Sequence, residues 1–201
     1  MAFTVNPTNF RFSPELGAAV KGKRVIITGA GKVLGLGQSF ALAAGLNGAE
    51  AVAVHFHRSY QDAFDLVDQL RSADINAFPL QADVTNMGDL WATRSYVIDR
   101  MGGTPDLVIC NSGLTESGYT FGRAPRETEG ESAGQRRARV RQTFVDSLEE
   151  TRAVLNTKID GFMAMTHLWS GEAVYANKAV QVVYISSRYG IDPGGGVPGY
   201  A

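Results

Sequence analysis

Residues Thr28 to Gly37 read TGAGKVLGLG, a run with four glycines that few folds accommodate. A strand-like apolar stretch, Arg24-Val25-Ile26-Ile27, leads into it, and an alanine-rich helical stretch, Gln38-Ser-Phe-Ala-Leu-Ala-Ala, leads out. The glycines therefore sit at a strand-to-helix turn. Glycine permits positive φ and removes the Cβ that would keep a phosphate away, while a helix start presents unpaired N–H groups and the positive end of a dipole. With a second strand, Ala51 to Phe56, following at βαβ spacing, the turn is a candidate pyrophosphate cradle, with Thr28, Gly29, Gly31, Gly35 and Gly37 as its residues.

The rest of the chain repeats the same alternation. Tyr60 to Arg71 has apolar residues at Ala63, Phe64, Val67 and Leu70, the pattern of a one-sided helix. Ala77 to Ala82 is a short strand, Met87 to Met101 a helix stopped by Gly102-Gly103, and Asp106 to Cys110 a fourth strand. A polar stretch from about Glu116 to Gln142 precedes a long helical pattern, about Ser147 to Ala173, and a fifth strand, Val180 to Ile185. The strands are short continuous apolar runs of the kind buried on both faces. The fold expected is α/β, a doubly wound parallel sheet of Rossmann type, in one domain over residues 23–201, with an arm over 1–22 that Phe3, Phe10 and Phe12 could pin down.

The end of the second strand bears on which dinucleotide is bound. A carboxylate there takes the ribose hydroxyls of NAD, whereas a basic residue accommodates the 2′-phosphate of NADP. Here the strand runs out through His55-Phe-His57-Arg58-Ser59, and the first acid, Asp62, is already in the helix. An Arg fork and a Ser hydroxyl can hold a phosphate that a carboxylate would repel, so NADP(H) is expected on Arg58 and Ser59. The alternative is that Arg58 is a solvated surface residue. His55 and His57 alternate along the strand and need not share a face; both read as bystanders, as does His167, a lone histidine in a helix.

Charge and cysteine content exclude other classes. A net charge of −1 gives no ground for a nucleic-acid or anionic-membrane partner, and no stretch approaches ~20 uninterrupted apolar residues. The single cysteine, Cys110, allows no intrachain disulfide and reads as a core residue of its strand. A cytoplasmic protein without a metal centre is expected.

Four blocks together resemble the short-chain dehydrogenase/reductase family, from about Lys23 to the last residue. TGAGKVLGLG is similar to the family's TGxxxGxG, lengthened by two residues between Gly29 and Gly35. Asp83-Val84 follows strand three, where the family places an adenine contact. Asn111-Ser112-Gly113 follows strand four and resembles the family's Asn-Ala-Gly. Last, Ser187 precedes Tyr200 by thirteen residues, in YISSRYGIDPGGGVPGYA. The resemblance implies a proton-donating Tyr200 and an oxygen-holding Ser187 at a carbonyl that receives a hydride, a step that needs proton and hydrogen-bond donor together.

A narrower resemblance lies at Lys158-Ile-Asp-Gly-Phe-Met-Ala-Met. Most family members have Asn at its first position, three residues before the Gly, whereas the ketoreductase domains of polyketide and fatty-acid synthases have Lys. It implies a Lys158 ammonium that depresses the Tyr pKa and a 3-oxoacyl thioester substrate, carried by CoA or an acyl carrier protein. Asn156 competes for this place, two residues and about 200° away on an α-helix. Another ketone or aldehyde as substrate, and a dinucleotide-binding module without turnover, stay open as alternatives.

The family further implies homo-oligomers and more strands than the chain contains. The chain is expected to be the N-terminal part of a longer protein, because a parallel sheet stopped after five strands exposes an apolar edge. The 116–142 stretch reads as an insertion. Its basic residues Arg126, Arg136, Arg137, Arg139 and Arg141 suit a lid, a landing surface for an acidic carrier or a solvated loop.

Overall fold

The computed structural model describes residues 10–114 and 128–187. Five strands form one parallel sheet in the order β3-β2-β1-β4-β5: β1 Arg24–Ile27, β2 Ala51–Phe56, β3 Ala77–Gln81, β4 Leu107–Cys110 and β5 Gln181–Tyr184. This is the doubly wound arrangement expected. The chain builds outward from β1 to β3, then crosses back to lay β4 on the other side of β1. The reversal falls between β1 and β4, where open sheets of this type bind ligands at the carboxyl ends of their strands.

Burial explains the apolar runs. All six residues of β2 are buried, and Val25, Ile26 and Ile27 of β1 are wholly so. Alternation divides them between two faces. Val25, Ile27, Val52 and Val54 pack with Ala41, Leu42, Leu66, Val67 and Leu70 from α2 (Leu36–Leu46) and α3 (Tyr60–Arg71). Ile26, Ala51, Ala53 and Val108 pack with Leu90, Val97, Met165 and Trp169 from α4 (Met87–Met101) and α6 (Gly161–Tyr175). Between α4 and α6, Arg94 grips the buried Glu172 through two hydrogen bonds. By contrast β5, at the edge, is only half-buried.

Helix ends follow their sequence signals. The Asn86 side chain accepts from Gly88 and Asp89 N–H to start α4, and Gly102, at φ 70°, closes it in the left-handed conformation that glycine tolerates. A four-residue helix, α1 (Pro14–Gly17), precedes β1. Of the arm's aromatics, Phe10 packs on the core, Phe12 is half-exposed, and Phe3 lies outside the described residues. Asn47 ties the arm down, its Oδ1 accepting from Phe12 N–H and its Nδ2 donating to the Phe10 carbonyl.

One expectation changes, the start of the long helix. The chain divides into two compact units, Met1–Ser112 with Gly161–Ile185, and Gly113–Asp160 with Ser186–Ala201. Within the second, the polar stretch is not loop throughout: α5 runs over Ala133–Leu155, beginning fourteen residues before the helical pattern read from apolar spacing. Its start is a capping box, Ser132 accepting from Gln135 N–H while the Gln135 side chain accepts from Ser132 N–H. Residues 115–127, including Arg126, lie outside the described residues. A π-helical turn, Asn156–Asp160, follows α5.

Candidate functional site

The glycine turn leaves β1 through Thr28, whose side chain is wholly buried. Its Oγ1 accepts from the backbone N–H of both Asn111 and Ser112, each at 2.9 Å, and Asn111 Nδ2 donates back to the Thr28 carbonyl at 3.0 Å. The exits of β1 and β4 are thereby locked together at the sheet's reversal point. Gly29 follows at φ 65°, and a Cβ there would stand 2.9 Å from Ser112 Cα.

Two more glycines are demanded by close approach. A Cβ on Gly31 would meet Phe56 Cβ at 2.8 Å and the Ser59 carbonyl at 3.0 Å, so this glycine lets the exit of β2 close on the turn. A Cβ on Gly37 would meet the Gly29 carbonyl at 2.6 Å and Asn111 Nδ2 at 2.7 Å, so α2 starts hard against the turn's backbone. Gly35 is the N-cap of α2 and supplies no side-chain cap, which leaves the first N–H groups of that helix open to an anion. The two extra residues are absorbed in an outward excursion. Val33 and Leu34 are exposed, and Leu34 takes φ 59°, a strained value for a branched residue that its N–H bond to Gln38 Oε1 at 2.9 Å holds in place. Lys32, in the same excursion, is an exposed cation that the glycine pattern alone did not single out.

The ends of β2 and β3 carry the second group. Arg58 and Ser59 are exposed, and Ser59 is the N-cap of α3 without spending its hydroxyl on the helix. Asp83 accepts from the N–H and hydroxyl of Thr85 through Oδ1, while Oδ2 lies 3.9 Å from His57 Nε2. Burial works to raise the Asp83 carboxyl. The Thr85 hydrogen bonds and the nearby His57 and Arg58 outweigh it and hold the group below the usual carboxylate range. Val84 is buried and packs against Gly161, where a Cβ would come within 2.8 Å of Val84 Cγ2. The Gly of the Lys158-Ile-Asp-Gly motif is thus required by packing at the start of α6.

The histidines separate. His167 is exposed on α6 and His57 is exposed beside Asp83. His55 is 1% exposed, and its Nδ1 accepts from Gly29 N–H at 3.3 Å. Its place facing the turn is a finding that β-strand alternation could not supply. Burial pushes His55 down to about 4; the backbone of Ala82 and of His55 itself and the Asp83 charge oppose this, and His57 adds to it. Cys110 is buried as expected, and burial pushes its thiol up to about 12.

In the second unit, Lys158 lies on the π-helical turn, half-buried, and burial lowers its amine from the ordinary lysine value. The angle of about 200° between Asn156 and Lys158 assumed α-helical geometry and does not apply to this turn, whose bonds run i to i+5. Ser187 is half-buried and Ser186 exposed; Gly113 is exposed, and Tyr200 lies outside the described residues. Among the described residues no cluster of His, Cys, Asp and Glu could hold a metal ion, and no helix is long and apolar enough to cross a membrane.

Comparison with known proteins agrees with this geometry. The family model described as short chain dehydrogenase matches residues 23–201. Versicolorin reductase 1 of Aspergillus parasiticus is 34% identical over 108 residues, 53% of this chain and 39% of that protein. A probable tetrahydroxynaphthalene reductase of Zymoseptoria tritici is 30% identical over 173 residues, 85% of this chain and 59% of that protein. The chain thus spans less than two thirds of the length of each of these two relatives. Among solved structures, a gluconate 5-dehydrogenase from Burkholderia cenocepacia, in complex with NADP and tartrate, superposes with a TM-score of 0.66 over 96% of this chain and 62% of that one, at 18% identity.

Proposed function

The chain belongs to the short chain dehydrogenase family, and within it we propose an NADP(H)-dependent reductase of carbonyl groups. The observation that carries the proposal is the cradle at the exit of β1, where Cβ atoms on Gly29, Gly31 and Gly37 would collide with backbone or with fixed side chains. Such a turn, with an uncapped helix start behind it, fits a pyrophosphate. Thr28, Gly29, Gly31, Gly35 and Gly37 would hold that group; Asp83 and Val84 would meet the adenine, and Asn111, Ser112 and Gly113 would line the exit of β4. Arg58 and Ser59 would take the 2′-phosphate, a choice supported by the lack of any carboxylate between Phe56 and Tyr60.

The nicotinamide supplies the hydride when bound. The chain's own part is to manage the oxygen. Ser187 donates a hydrogen bond to the carbonyl oxygen, Tyr200 passes it a proton, and the Lys158 ammonium favours loss of that proton from the phenol. The thioester reading of the substrate, on CoA or a carrier protein, rests on the Lys158 motif. The names of the versicolorin and tetrahydroxynaphthalene reductases favour a second reading, a ketone of a polycyclic aromatic.

The test is a fluorescence titration with NADPH and NADH, followed by NADPH oxidation with acetoacetyl-CoA and with a bicyclic ketone such as 2-tetralone. Tighter NADPH binding, lost in Arg58→Ala while NADH binding is kept, supports the cofactor assignment; equal losses remove Arg58 from the 2′-phosphate site. Turnover that survives Tyr200→Phe sinks the proton-donor role. Binding of NADPH with no turnover of either ketone favours a dinucleotide-binding module.

A further inference from the structure

His55 is the one polar residue of β2, and it stands on the strand face that otherwise carries the small residues Ala51 and Ala53. The space they leave admits an imidazole at the carboxyl end of the strand. Two successive peptides of the glycine turn are bound to this one residue: Gly29 N–H donates to Nδ1 at 3.3 Å, and Ala30 N–H donates to the His55 carbonyl at 2.8 Å. On the far side the same turn is held by Thr28 and Asn111. The Gly29 peptide is thus clamped from both neighbouring strands, by β4 through Thr28 and by β2 through an imidazole.

An imidazole that accepts at Nδ1 has its lone pair there, so its proton is on Nε2 and the ring is neutral. Among the described residues the buried Nε2 has no hydrogen bond of good geometry, although the Ala82 backbone lies near enough to favour a proton on the ring. A buried donor without a well-formed hydrogen bond is costly, which makes the Nδ1 contact the reason for a histidine here. Protonation would place N–H against N–H at Gly29. The groups that would feel the new charge are His57 and Asp83.

We infer that His55 is a positioning residue for the cofactor turn, its Nδ1 lone pair fixing the Gly29 peptide in the orientation that opens the turn to a pyrophosphate. The inference rests on the dinucleotide reading above. Asparagine could accept the same N–H through Oδ1, whereas leucine fills the space without an acceptor.

The experiment is an NADPH titration of the full chain and of His55→Asn and His55→Leu, with ¹⁵N NMR of the wild-type imidazoles as a measurement that needs no variant. The expected result is an affinity near wild type for the asparagine variant and about ten-fold weaker for the leucine variant, the loss of one hydrogen bond at a buried donor. The NMR spectrum is expected to show His55 protonated on Nε2 alone at neutral pH. A leucine variant that binds NADPH as tightly as wild type, or a His55 ring carrying its proton on Nδ1, overturns the inference. Wild-type protein that binds neither NADPH nor NADH overturns the dinucleotide reading instead.

Discussion

Thr28 and Asn111 hold each other twice: the backbone N–H of Asn111 donates to Thr28 Oγ1 at 2.9 Å, and its side-chain Nδ2 donates to the Thr28 carbonyl at 3.0 Å. The pair joins the last turn of β1 to the last turn of β4 across the sheet's reversal point. A hydroxyl is therefore required at a position that is wholly buried.

Thr28→Val keeps the shape and removes the acceptor. The N–H groups of Asn111 and Ser112 would then be buried without a partner, at a cost of about 3 kcal/mol for the two together. Urea unfolding should show a lower midpoint with unchanged slope. A midpoint equal to wild type would mean that water reaches these groups.

Gly37→Ala tests the cradle directly. The new methyl would stand 2.6 Å from the Gly29 carbonyl and 2.8 Å from Ala30 Cα, neither of which is a flexible side-chain end. The turn must open to admit it. NADPH titration should show binding lost or greatly weakened, and affinity at the wild-type level would place the pyrophosphate elsewhere.

Two glycines of α6 should respond in opposite directions. A Cβ on Gly161 meets Val84 Cγ2 at 2.8 Å, whereas a Cβ on Gly171 meets none of the described residues within 4 Å. Gly171→Ala should stabilise by about 0.5–1 kcal/mol, the helix-propensity difference, and Gly161→Ala should destabilise. Thermal unfolding of both variants checks the sign; a stabilising Gly161→Ala would show that Val84 yields freely.

Acid should weaken the fold through His55. Its folded value is about 4, against 6.5 for an unperturbed imidazole. Above pH 6.5 neither folded nor unfolded chain carries the proton, and the contribution is complete. As the pH falls from 6.5 to 4 the unfolded chain takes up a proton that the folded chain refuses, so stability drops by about 3 kcal/mol in total; below 4 this group adds no further slope. Unfolding free energies at pH 7 and pH 4.5 should differ less in His55→Asn than in wild type. An equal pH dependence in both would assign the acid sensitivity to other groups.

The strands were legible because a buried parallel strand leaves an unbroken apolar run, and β1 to β5 all lie within the runs read from sequence. Apolar spacing failed at the start of α5 because Ala133 to Gln142 buries nothing, so no periodicity marks it; the signal present was the cap, Ser132 with Gln135 three residues on. The π-helical turn at Asn156–Asp160 left no pattern, since one such turn differs from an α-helix only in which carbonyl each N–H reaches. At the site, glycine spacing identified the turn, but the clamp from His55 could not be read. Alternation tells which face a strand residue occupies and says nothing of which backbone N–H meets it there.

The strand order also sets a timetable for the nascent chain. β1, β2 and β3 can pair as soon as residue 81 has left the ribosome, yet β1 then has a bare side until β4 arrives. The contacts that close the glycine turn from that side span 83 residues of chain, a long loop to close late in synthesis. The cradle is thus among the last parts of the first four strands to set, and a ribosome-bound chain stopped before Asn111 should be more readily cut by protease at the glycine turn than one that has passed Ser112.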